Sequence, residues 1–166
     1  QGAIWEAEQR RWTAQALALR WQPLEQAVRD RAERALDTLA APDGRAAGRG
    51  PDERHQRILP GQAGAVGGGT WLDPAALTMA PDRIAGWHWR EGQLFWVAAQ
   101  RVQTPHGAWD AVAIDAGPLQ AALAQALAPV APAWHGARLP AGEPRLAVAL
   151  ASWRTSHPAG WISVPD

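Results

Sequence analysis

The sequence predicts an α+β domain in which a long N-terminal helix packs on an antiparallel sheet. Between Ala3 and Ala41 the apolar residues recur at steps of three or four, the period of one helix face. From Ile84 to Ile114 three strand-like runs follow one another across short turn signals, the pattern of a meander. A helix start, Asp115-Ala116-Gly117-Pro118, comes directly after the last run, since proline suits the first helical turn.

The first helix presents Leu17, Trp21, Leu24, Val28, Ala32, Leu36 and Leu39 as its buried face. Glu25, Arg29, Asp30, Arg31, Glu33, Arg34 and Asp37 form a solvated face, where pairs such as Asp30 and Arg34 lie a turn apart and give modest support. Pro23 removes a backbone donor and predicts either a kink or the start of a second helix. Upstream, Trp5, Trp12 and Leu19 stand at seven-residue spacing. Such a stripe suits packing on a partner helix from a second copy, or on the chain's own core.

Residues 42–70 break any period with Gly44, Gly48, Gly50, Pro51, Pro60, Gly61, Gly64 and Gly67-Gly68-Gly69, and read as a flexible connection with one possible helical turn at His55–Leu59. Arg45, Arg49, Arg54 and Arg57 lie in it, as solvated charges or as an anion grip. Residues 71–166 are the α+β core. Asp73-Pro74-Ala75-Ala76-Leu77 predicts a short helix with Asp73 as its N-cap. Strands are expected at Ile84–Arg90, Gln93–Gln103 and Ala108–Ile114, with turns at Glu91-Gly92 and Thr104–Gly107. A helix through Leu119, Ala122, Leu123 and Leu127 stops at Pro129 and Pro132, and strands at Arg145–Trp153 and Trp161–Val164 close the chain.

At 166 residues one domain is expected. Sixteen basic residues, every one Arg, balance sixteen acidic ones, so no net field recommends nucleic acid or an anionic membrane as partner. The lack of Cys excludes disulfides, thiolate nucleophiles and Cys-ligated metal. No apolar run approaches the roughly 20 residues of a membrane span. The abrupt helical opening at Gln1–Trp5 and the close at Val164-Pro165-Asp166 suggest a piece cut from a longer protein.

Few residues carry a chemical signature. His55, His88, His106, His135 and His157 show no i, i+4 pair and no HExxH, so no metal site is spelled out. Ser156, His157 and Asp110 lack the G-x-S-x-G context of a nucleophile elbow, and Gly67–Thr70 lacks the lysine of a phosphate loop. No cofactor is implied. Trp87-His88-Trp89 places both indoles on one strand face and His88 with Arg90 on the other, and Trp96 can pair with one of them across the turn. This aromatic wall holds an apolar or cationic ligand, or is a core built from Trp in a chain with eleven Trp, one Phe and no Tyr. Asp115 caps the following helix or meets a ligand amine.

The stretch Arg90-Glu91-Gly92-Gln93-Leu94-Phe95-Trp96, then Gly107-Ala108-Trp109-Asp110-Ala111-Val112-Ala113-Ile114-Asp115, then Pro118-Leu119 and a helix, resembles the Cache and PAS-like extracytoplasmic sensor domains of bacterial membrane receptors. Trp153-Arg154-Thr155 to Trp161-Ile162-Ser163-Val164 is similar to sensor regions of NtrY-like histidine kinases and of membrane-bound phosphatases of the protein phosphatase 2C type. The resemblance implies a PAS/Cache-like sheet behind a membrane-proximal helix, with a transmembrane span on either side. It also implies a ligand pocket on the sheet. Amine-binding members use Tyr, Arg, Trp and Asp there, which points to Trp89, Trp96 and Asp115, with Trp87, Trp109 and Arg83 nearby. This chain has no Tyr, and Arg83 precedes the Trp pair at a different spacing, so the expected ligand is an unidentified small molecule rather than an amino acid.

The expectation is a non-catalytic periplasmic sensor, dimeric through its first helix, that biases flanking membrane helices when a ligand binds. The rival is a periplasmic assembly module of an inner-membrane secretion or pilus scaffold. A pocket lined by Trp89, Trp96 or Trp109 favours the sensor, and an exposed apolar patch or sheet edge favours the scaffold.

Overall fold

The computed structural model describes residues 2–40, 52–59, 71–103, 107–136, 147–154 and 157–164, with the side chains of 6–14, 74 and 75 excepted. The fold is α+β. Helix α1 (Gly2–Ala40) is followed by β1 (Glu53–Ile58), α2 (Pro74–Leu77), β2 (Arg83–Arg90), β3 (Gln93–Arg101), β4 (Trp109–Asp115), α3 (Gly117–Leu127), β5 (Ala133–His135), β6 (Ala147–Leu150) and β7 (Gly160–Ser163).

α1 is one helix of 39 residues with Pro23 inside it, so no second helix begins there. Pro23 and Leu19 are both exposed; the carbonyl that loses its donor therefore belongs to the solvent side, where water can replace the bond. The predicted apolar stripe is the buried one: Leu17, Trp21, Val28, Ala32 and Leu36 are buried, and Leu24 and Leu39 pack against them.

The meander forms as its alternation dictates, β2 with β3 and β3 with β4, all antiparallel. Glu91 and Gly92 both take positive φ, 53° and 79°, the two-residue turn whose twist matches that of the strands. Gly92 supplies the second of these conformations without a Cβ penalty.

The 42–70 connection needs correction at its centre. Residues 53–58 are not loop or helical turn; they form β1, paired with β4 from Glu53↔Ile114 to Ile58↔Trp109. Ile58 is the only apolar residue of Glu-Arg-His-Gln-Arg-Ile, so no period of two is visible. The strand is specified by partners from elsewhere: Arg31 of α1 bonds Glu53 and Asp52 at 2.7 Å each, and Arg57 bonds Asp110 of β4 at 2.9 Å. The Arg31 guanidinium holds the Asp52 carboxyl below its ordinary range. Arg45, Arg49 and the glycine triplet lie outside the described residues.

The main sheet has the order β1-β4-β3-β2. The chain must therefore cross from one edge of the sheet to the other between β1 and β2, and the described part of that crossing, Trp71–Ala80, covers one face. Period two assigns the faces. On face A, Trp87, Leu94, Trp96, Ala98, Val112 and Ile114 join the buried side of α1 and Leu123 of α3. On face B, Ile58, Ile84, Phe95, Val97, Ala99, Trp109, Ala111 and Ala113 join Trp71, Leu72 and Leu77. The sheet is thus buried on both sides, which explains the near-continuous apolar reading of β3 and β4.

A second sheet, β5-β7-β6, closes the face A core with Leu150 and Ile162. β5 had no counterpart in the sequence reading; β6 stops at Leu150, short of the expected end at Trp153, and β7 lies one residue earlier than expected. The chain leaving β6 continues along β2, where the Trp87 N–H donates to the Ala151 carbonyl at 2.8 Å. There a Cβ on Gly86 would overlap the backbone of Trp153.

Candidate functional site

The six residues singled out for ligand contact are not brought together. Trp87 and Trp96 are cross-strand partners with centroids 5.1 Å apart in an edge contact, so the expected pairing exists. Trp21 of α1 lies 5.4 Å from Trp87 and 5.4 Å from Trp134 of β5. Trp87 is 1% and Trp96 2% exposed, and the four indoles fill the space between helix and sheets. Trp89 packs against the same core, with a buried indole N–H that has no hydrogen-bond partner among the described residues.

Trp109, 3% exposed, belongs to the opposite face. The Asp115 carboxylate accepts the Gly117 N–H at 2.8 Å, where it caps the entry to α3. Arg83 bridges Glu33 and Asp37 of α1 and Gln100 of β3, tying helix to sheet. Of the enzyme alternative, Ser156 is outside the described residues, His157 is exposed and Asp110 is held by Arg57. A different pair meets instead: His135 Nε2 and Ser163 Oγ are 2.6 Å apart across β5 and β7.

The helix face that reads as solvated is in part an interface. Glu25 accepts the Trp87 indole N–H at 2.8 Å and the Trp21 indole N–H at 3.2 Å, and also binds Arg29 at 3.1 Å. Arg29 in turn lies over the Trp96 ring at 4.9 Å. A charged residue one position off the apolar stripe thus satisfies indole donors that burial would otherwise strand. With Arg31–Asp52/Glu53 at one edge of the sheet and Arg83–Glu33/Asp37 at the other, α1 is clasped to face A at three places along its second half.

Face B carries the other concentration of chemistry, which sequence reasoning missed. Arg90 lies over the Trp71 ring at 4.4 Å. Arg54 lies 5.9 Å from the same ring and 5.7 Å from Phe95, and Trp71 and Phe95 touch at 4.7 Å. Gln56 accepts the Trp71 backbone N–H at 2.9 Å and so fastens the crossing segment to β1. His88 pairs with Phe95 in register; burial, and secondarily the charge of Arg90, push its imidazole below the ordinary range. Trp71 joins these groups across a long gap in sequence, and only Arg54, offered above as an anion contact, was flagged for that role. A guanidinium resting on a ring leaves its in-plane N–H groups for a second partner. Both rings are buried, so what the arrangement turns outward is the positive charge of the exposed Arg54.

Among the described residues no group of His, Asp or Glu is placed to hold a metal ion, and no helix is long and apolar enough to cross a membrane. Comparison with protein-family models, with curated proteins and with solved structures finds no match to this chain.

Proposed function

We propose that this chain is a ligand-sensing extracytoplasmic domain of a membrane-anchored signalling protein, with its ligand surface on face B and its output through α1. The observation that carries this reading is the division of labour between the two sheet faces. Face A is locked to a helix that runs about 58 Å, far beyond the sheet it packs on, by three polar clasps and a tryptophan core. Face B is roofed by a crossing segment whose Trp71 sits beneath two arginines. A ligand that shifts the roof acts on the strands carrying Asp52, Glu53, Trp87 and Arg83, and these hold the helix. Differential affinity for two settings of sheet and helix is then sufficient for signalling.

The test is a thermal-shift panel of small metabolites, followed by hydrogen exchange on any binder. A ligand should raise Tm and alter amide protection between Glu25 and Leu39 of α1. Absence of any binder, or binding that leaves α1 protection unchanged, removes the sensor reading. The assembly-module alternative is favoured by one observation, the exposure of Ile4, Trp5 and Leu19. It would be preferred if these residues mediate association and no ligand is found.

A further inference from the structure

We draw no further inference here: the strongest candidate, the His135–Ser163 side-chain pair across β5 and β7 of the second sheet, has a serine only 5% exposed and so presents no nucleophile to a substrate.

Discussion

Trp87 separates a structural indole from a ligand-contacting one. It is buried between Trp21 and Trp96, and its N–H is bonded to Glu25. Trp87→Ala should therefore cost about 3–5 kcal/mol in chemical denaturation, the range for deleting a large core aromatic. A residue that merely lines a pocket would lose binding with little stability. His88 gives a pH signature of its own. Its imidazole titrates lower in the folded chain than when exposed, because burial and Arg90 disfavour the charged form. The unfolded chain thus binds the proton more readily, and stability should decline as pH falls below about 6.5. Tm measured from pH 8 to pH 5 should drop less in His88→Gln than in wild type; parallel curves would exclude His88 as the source.

Between elements, the junction of the two sheets depends on a missing side chain. At Gly86 the strand β2 meets the chain leaving β6 so closely that a Cβ would overlap the Trp153 backbone, and the neighbouring Trp87 N–H bonds Ala151. Gly86→Ala should push that chain off the edge of β2 and destabilise the fold by about 1–3 kcal/mol, the usual cost of overpacking. Hydrogen exchange should report it first at the Trp87 amide. Wild-type stability in this variant would mean that the second sheet is not held at that edge.

For the whole molecule, the question is what the first half of α1 does. Among the described side chains of α1 the first buried one is Leu17, while Trp5 is 65% and Leu19 69% exposed, and Trp12 lies between them in sequence at seven-residue spacing. Large exposed apolar side chains such as Trp5 and Leu19 on one helix stripe favour association, and a second copy aligned in parallel would set each position of the stripe against itself. Sedimentation should find a dimer whose dissociation constant rises sharply in Trp5→Asp/Leu19→Asp, with the far-UV spectrum retained. A monomeric wild type would remove the dimer from the sensor proposal.

The sequence by itself determined the local elements: α1 from its three-and-four spacing, the meander from alternation and the Glu91-Gly92 turn, and α3 from Gly117-Pro118. Each is set by short-range geometry that neighbouring residues express directly. It also paired Trp96 with one of the two indoles on β2, and the register of the two-residue turn makes that partner Trp87. Only the tertiary structure decided that Glu53–Ile58 is a strand, since its charged side chains find their partners in α1 and β4. The same holds for Glu25, whose carboxylate is indistinguishable from a solvated one until two indoles are packed against it. The separation of Trp109 from Trp87, Trp89 and Trp96, and the meeting of Arg54, Arg90 and Trp71, follow from the path of the chain across the sheet. Long-range closure brings those residues together, and periodicity carries no record of it.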